Sequence, residues 1–406
     1  MNQKSDGILD VGFQISECID NQWVLKNQNL KKTSQNTYKA ISLFSGCGGM
    51  DVGVTQAGFD LLACVEMDPH ACATLRANIY QNLGKTQVFE QDIRQINPQD
   101  WMKTLNIAAG ELDLLCGGPP CQAFSQIGKR HSLKDDRGLL LFEMVRFAAA
   151  FRPKALMIEQ VKGLLNAEDD DAKIGGVFNT LIHQLEQLDY IPKWKIVNAA
   201  DYGVPQLRQR VFIIATQKPN DFQFPLPLNG DSKKSGLLFN LKPYKTVGEV
   251  INDLDKPYLL NGHIPENSHL DVTPEGDRFR IKGVSEGGHL SGALHLPIEQ
   301  RKGLTQKDTT KFKRLSRTQP ANTLRCGEIF FHPLEDRYLT PREYLRIHGY
   351  PNDYVLKGPI RGRSGQAKFL DQHRQVANSV PPPVAKVLAA AIAEILQYKP
   401  QHAQNI

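Results

Sequence analysis

From residue 40 the chain alternates short apolar runs with amphipathic stretches, which predicts strands interleaved with helices. Ala40–Phe44 reads as a strand and Gly49–Ala57 as a helix stopped by Gly58. Leu61–Glu66 is a second strand, and Pro69–Asn82 a helix with proline in its first turn. Further strands are expected at Gln87–Glu90, Leu112–Cys116, Ala155–Glu159, Lys193–Asn198 and Val211–Ala215, with helices near 138–150 and 174–188. This alternation predicts an α/β fold with a mostly parallel sheet covered on both faces.

The pattern fades at both ends of this stretch. Residues 1–38 are polar, rich in Asn, Gln and Lys, and read as an extension. The alternating region is expected to run over 39–225. Beyond Pro225 the periodicity weakens, and 226–374 reads as a smaller, loop-rich domain. In 375–406 one apolar face returns: Val384, Val387, Leu388, Ala391, Ile392, Ile395 and Leu396 predict a helix that packs back on the first domain.

Composition narrows the function classes. With 406 residues, 41% hydrophobic and 23% charged, the chain can bury a large core. No apolar run approaches the roughly 18 residues of a membrane span, and the N-terminal residues lack the apolar centre of a signal peptide. Seven cysteines without regular spacing point to neither a disulfide framework nor a metal site, so a reducing cytoplasm is the expectation; for oligomeric state a monomer is the default. The net charge is +6, and residues 311–374 alone hold 13 Lys+Arg against 6 Asp+Glu. Such a segment is either a solvated basic face or a surface for a polyanion.

Chemistry concentrates at the expected strand ends, the edge where open α/β sheets bind ligands. Gly117-Gly118-Pro119-Pro120-Cys121-Gln122 follows one apolar run, and its prolines and glycines give Cys121 a fixed turn. A buried small hydrophobe is the competing role for a cysteine, and it suits Cys64, Cys72 and Cys116. Phe44-Ser45-Gly46-Cys47-Gly48-Gly49 lies between the first strand and helix, and Glu66 ends the next strand. A dinucleotide fingerprint would need a third glycine where Asp51 stands, so a nucleoside without a pyrophosphate fits better. Asp92 is placed to accept from an exocyclic amine. Glu159 ends another strand and would set a carboxyl beside the thiol, a pairing suited to a covalent nucleophile with a nearby acid. Arg208 and Arg210 alternate, so an extended backbone would turn both to one face as a clamp for an anion or carbonyl.

In this order the motifs closely resemble the DNA (cytosine-5)-methyltransferase family of prokaryotic restriction-modification systems. The resemblance also takes in Gln206-x-Arg208-x-Arg210, Arg317-Thr318-Gln319-Pro320-Ala321-Asn322-Thr323 and Gln375-Val376-Ala377-Asn378-Ser379-Val380-Pro381-Pro382. It implies the Rossmann-like fold of S-adenosylmethionine-dependent methyltransferases, with a target-recognition region at about 231–312. It implies S-adenosylmethionine as donor, S-adenosylhomocysteine as product and no metal. The donor pocket would comprise Phe44, Gly46, Cys47, Gly48, Gly49, Glu66, Met67, Asp92, Ile93, Gly118, Pro120, Leu140, Asn378 and Val380. Cys121 would attack C6 of a flipped cytosine, Glu159 would donate to N3, and Arg208 and Arg210 would hold O2. Gln122, Ser125, Lys129, Arg130 and Arg137 would belong to a loop closing over the base, and 311–374 would contact phosphates. The implied partner is double-stranded DNA, with a cognate restriction endonuclease that forms no stable complex.

One residue departs from the pattern: Gln160 follows Glu159 where the family carries Asn. It keeps the amide and adds a methylene, so activity is expected to survive while hydrogen bonds beside Cys121 shift. An RNA cytosine-5 methyltransferase keeps the chemistry with another substrate. A catalytically silent DNA-binding regulator is the alternative of another class, and the intact Cys121, Glu159, Arg208 and Arg210 speak against it.

Overall fold

The computed structural model describes residues 38–397 apart from 121–135, 170, 172, 220, 232–240, 260–263, 300–311 and 361–367. Five parallel strands form most of one sheet: β1 (Tyr38–Leu43), β2 (Phe59–Glu66), β3 (Gln87–Glu90), β4 (Leu114–Gly117) and β5 (Ala155–Gln160). They are joined by β6 (Tyr190–Asn198) and, after the two-residue β7 (Gln206–Leu207), by β8 (Gln209–Gln217). The sheet order is β3-β2-β1-β4-β5-β8-β6, and β8 runs antiparallel to both neighbours. Every residue of β5 is buried, as a central strand covered on both faces requires.

The pleat sends alternate residues to two cores. Ile41 and Leu43 face α3 (Pro98–Leu105), α4 (Asp136–Phe151) and α5 (Gly176–Gln187), where Trp101, Phe147, Phe151 and Leu181 pack. Ala40, Leu114 and Cys116 face the other way, against α1 (Gly49–Gln56) and the helix Pro382–Gln397. By composition Gln372–Gln397 is apolar and long enough to cross a membrane. Here it is interrupted between Asn378 and Pro382, and Val384, Ala385, Leu388 and Ile392 are buried in this core.

A third core joins Cys47, Val52, Cys64 and Leu75 to Val247, Leu324, Tyr344, Tyr350 and Tyr354. Residues from the weakly periodic region therefore share apolar packing with the first half of the chain. A smaller cluster around Ile281, Val284, Leu290 and Phe331 lies within that region alone.

One element is shorter than its sequence pattern. The helix expected over Pro69–Asn82 is α2 (Pro69–Ala77), followed by a wider turn at Ile79–Leu83. At this change of winding the Asn78 amide donates to Thr74 O (2.7 Å) and Val355 O (2.8 Å) and accepts from Val355 N (3.0 Å), and its own carbonyl accepts from Asn82 N and Leu83 N.

The α1 contact with Pro382–Gln397 depends on Gly53. A Cβ there would lie 2.5 Å from Pro382 O and 2.7 Å from Lys386 N, both main-chain atoms that cannot rotate away. Gly53→Ala is expected to destabilise the fold by about 2 kcal/mol or more through overpacking. Urea unfolding monitored by circular dichroism checks this; an unchanged midpoint would show that the two helices separate at little cost.

Candidate active site

The C-terminal ends of β1, β2, β4 and β5 come to one edge of the sheet. Leu43 pairs with Val65 and Gly117, and Gly117 pairs with Ile158, so the loops after these strands are neighbours. Because β8 is antiparallel, its first residues rather than its last reach this edge, and Gln160 pairs with Val211.

The loop from Phe44 to Gly49 is held by main-chain bonds. Phe44 itself has φ 56°, a conformation unusual for a side chain of its size. Ser45 N donates to Val65 O (3.1 Å), and Gly46 N donates to Glu66 Oε2 (2.8 Å). Glu66 Oε1 accepts from Met67 N and Asp68 N, both at 2.8 Å. Burial pushes the Glu66 carboxyl above the usual carboxylate range, while these N–H groups draw it back. Oε2 carries one such bond and retains a lone pair for a hydroxyl. Gly46, at φ 55°, has nothing within 4 Å of where a Cβ would stand, so the loop faces open space there. Met67 beside it is 64% exposed.

Other expected pocket residues are placed less simply. The Cys47 side chain turns inward, with Sγ 3.1 Å from Tyr350 Oη and 3.2 Å from Gln375 O, and burial pushes its thiol up to about 12. The residue is fully buried, and its carbonyl accepts from Tyr354 Oη at 2.6 Å. Asp92 caps the turn Ile93–Gln95 and is held by Arg94, whose Nη2 lies 2.6 Å from Oδ2; that bond keeps its carboxyl below the usual range. Ile93 is buried, and Leu140 packs against the α4 side of the core. Val380 presses on the loop from the opposite side: a Cβ on Gly49 would lie 2.1 Å from its carbonyl oxygen. Asn378 is exposed, and its Oδ1 accepts from the Cys326 thiol at 2.6 Å.

The acid end of the site is compact. Glu159 is 8% exposed, and its Oε1 lies 3.0 Å from Arg210 Nε. Burial pushes its carboxyl above the usual range, with Arg210 and then Arg208 opposing the shift. A Cβ on Gly118 would stand 3.5 Å from Glu159 Oε2, so the turn after β4 lies against the acid. Gln160, fully buried, donates from Nε2 to Pro119 O (2.8 Å) and accepts from Val161 N. The longer amide thus reaches the turn immediately before residue 121. Pro120 is half-buried, while Cys121, Gln122, Ser125, Lys129, Arg130 and the Arg137 side chain lie outside the described residues.

Alternation does not hold Arg208 and Arg210 as a matched pair. The chain breaks at 208 between β7 and β8. Arg208 is buried and donates to Ala377 O and Ser379 O, each at 3.0 Å, whereas Arg210 takes Glu159. Charge in 311–374 is also spent internally. Arg314, Arg337 and Arg342 are buried on Asp336, Glu343 and main-chain carbonyls. Arg317, Arg346 and Arg374 pair with Glu286, Asp253 and Asp371. The expectation of a phosphate-contacting surface therefore does not extend to the buried Arg314, Arg337 and Arg342.

In the sequence Asp51 stands out only as the residue that breaks a dinucleotide fingerprint. It lies fully buried under the loop, accepting from Ser42 Oγ (2.5 Å), which accepts in turn from Ser45 Oγ (2.9 Å). Burial pushes its carboxyl up to about 7. The folded protein holds this proton where the unfolded chain, titrating near 4, does not, so its contribution falls as pH rises from about 4 to about 7. Asp51→Asn is expected to flatten the pH dependence of unfolding free energy over that window, measured by urea denaturation; an unaltered slope refutes the assignment.

Comparison with known proteins agrees with this geometry. Residues 38–394 match the family described as C-5 cytosine-specific DNA methylase. The Type II methyltransferase M.NgoFVII of Neisseria gonorrhoeae is 32% identical over 89% of this chain and 88% of its own length. M.PspPI of Psychrobacter sp. is 33% identical over 97% of this chain and 87% of its own. Among solved structures, a candidate DNA modification methyltransferase from an Escherichia coli prophage superposes with a TM-score of 0.64 at 22% identity, covering 89% of this chain and all of that one. DNMT2 of Spodoptera frugiperda gives 0.56 at 18%, covering 88% and 99%. The shared fold, the ordered strand-end residues and these matches lead to one conclusion: the chain belongs to the C-5 cytosine-specific DNA methylase family.

Proposed function

We propose that this chain methylates C5 of a cytosine at a specific sequence in double-stranded DNA, as the modification arm of a bacterial restriction-modification pair. The observation that carries the reading is the approach of the turn Gly118–Pro120 to Glu159, itself paired with Arg210 at 3.0 Å. The partner endonuclease would act on the same DNA without a stable complex, and both would work in the cytoplasm.

S-adenosylmethionine is the donor the family implies, and it supplies an electrophilic methyl group when bound. The residues fit it: Gly46 leaves open space, Glu66 Oε2 has a lone pair for a ribose hydroxyl, and Phe44 and Met67 offer apolar surface beside it. Gly48, Gly49, Gly118, Pro120, Leu140, Asn378 and Val380 complete the pocket in this reading. Asp92 would accept the adenine amine in exchange for part of its bond to Arg94, with Ile93 contributing backbone.

Cytosine C5 is a poor nucleophile until C6 is attacked. The Cys121 thiolate forms the S–C6 bond, and Glu159 passes its proton to N3 as the ring accepts the electron pair. Arg210, with the charge of Arg208 behind it, holds O2 and the adduct. C5 then takes the methyl group; loss of the C5 proton to water expels the thiolate, and N3 returns its proton to the Glu159 carboxylate, which restores the ring. The base must leave the duplex stack for this, at a cost of a few kcal/mol.

Bisulfite sequencing of DNA from cells expressing the chain tests the reading. New 5-methylcytosine in one sequence context is expected, and none with Cys121→Ala; its absence with the intact chain sinks the proposal. Glu159→Gln is expected to slow methyl transfer by about 10²–10⁴-fold. The intact chain should lose activity as pH rises through the Glu159 pKa, above the ordinary carboxylate range because burial favours the acid form. That limb should vanish in the variant.

Gln160→Asn should leave the rate within about tenfold, because either amide can serve the Pro119 carbonyl after small movements. A rise of a hundredfold would show that Gln160 impairs the native site.

A further inference from the structure

His348 stands at the end of the helix Pro341–His348, fully buried, and no part of the proposed chemistry uses it. Its hydrogen bonds fix its protonation. Nε2 lies 2.9 Å from Ser379 O, and a carbonyl cannot donate, so Nε2 carries the hydrogen. Nδ1 lies 3.0 Å from Gln206 Nε2 and must accept from that amide. Gln206 Oε1 then accepts from Leu324 N at 3.0 Å. Burial and the nearby Arg208 charge both keep the imidazole neutral.

The chain of bonds ends at the acid pair. Ser379 O accepts from His348 and also from Arg208 Nη2, so both its lone pairs are used. Two residues on, Arg210 holds Glu159. The other end reaches 321–324, which is tied to β7 and the residue before it, just ahead of Arg208, by Ala321 N to Pro205 O and Thr323 Oγ1 to Leu207 O, each 2.8 Å. Gly349 after the helix has φ 83°, and a Cβ there would meet Pro383 at 2.8 Å, so this end of the helix lies close against Pro383.

We infer that His348 is a positioning residue: its neutral, Nε2-protonated ring holds the Ser379 carbonyl for Arg208 and so sets where the Arg208–Arg210 arm meets Glu159. This rests on the catalytic reading above. The two ring nitrogens can be mimicked separately. His348→Gln places an amide nitrogen near Nε2 and keeps the donor to Ser379 O. His348→Asn keeps an acceptor near Nδ1 and loses that donor.

The test is single-turnover methylation of unmethylated plasmid DNA by the full chain, with S-adenosylhomocysteine and DNA affinities and melting temperatures measured alongside. His348→Asn is expected to be about tenfold or more slower with both affinities within about threefold of wild type. His348→Gln should keep more than about a third of the rate. An Asn variant as fast as wild type overturns the inference. So do two variants slowed equally, in step with lowered melting temperatures, which is what a packing role alone predicts. A wild-type chain that transfers no methyl group overturns the catalytic reading together with this one; an active wild type with insensitive variants overturns this one alone.

Discussion

Residues 379–386 lie against α1 at main-chain distance, and much of the structure follows from that approach. Gly49 and Gly53 admit the carbonyls of Val380 and Pro382 where a methyl group would collide with them. The contact closes the core on one face of the sheet and presses the 44–49 loop from behind. It also delivers the Ala377 and Ser379 carbonyls to Arg208. Loop, acid and arginine arm are thus set by a segment more than 300 residues away from the loop in sequence.

The strands and their ends were legible because their signals are local. Apolar runs such as Leu156–Ile158 declare a buried strand, and turn residues such as Gly117–Pro120 declare where it stops. Glu66, Glu159 and the glycine loop could be placed at one edge from this alone. Side-chain partners could not. Arg208 and Arg210 alternate in sequence, yet a one-residue break between strands gives them different acceptors. The Asn78 amide, at the change of winding after α2, bonds both main-chain groups of Val355, and nothing within a helical window reveals that. His348 has no sequence signal at all; its role exists only where three distant segments converge.

Charge illustrates the same limit. A segment with a large basic excess looks like a surface for polyanions, but arginine is also a structural donor able to satisfy several carbonyls at once. Arg342 bonds Asn267 O, Asn352 O and Tyr354 O, and Arg337 clasps Glu343 inside the capping turn of Pro341–His348. These arginines hold an irregular, loop-rich region together where extended secondary structure does not. Formal charge per segment therefore overstates the field such a region presents to DNA.

The helix that ends at Gln397 packs in the same core as β1, and Tyr38 and Leu396 both lie against that core. The first and last described residues are therefore neighbours. A short linker could join them while the chain is opened at an exposed turn elsewhere, leaving the sheet order, the loop and the acid pair intact. What the fold specifies is which segments must meet, and the two ends of the described chain are among them.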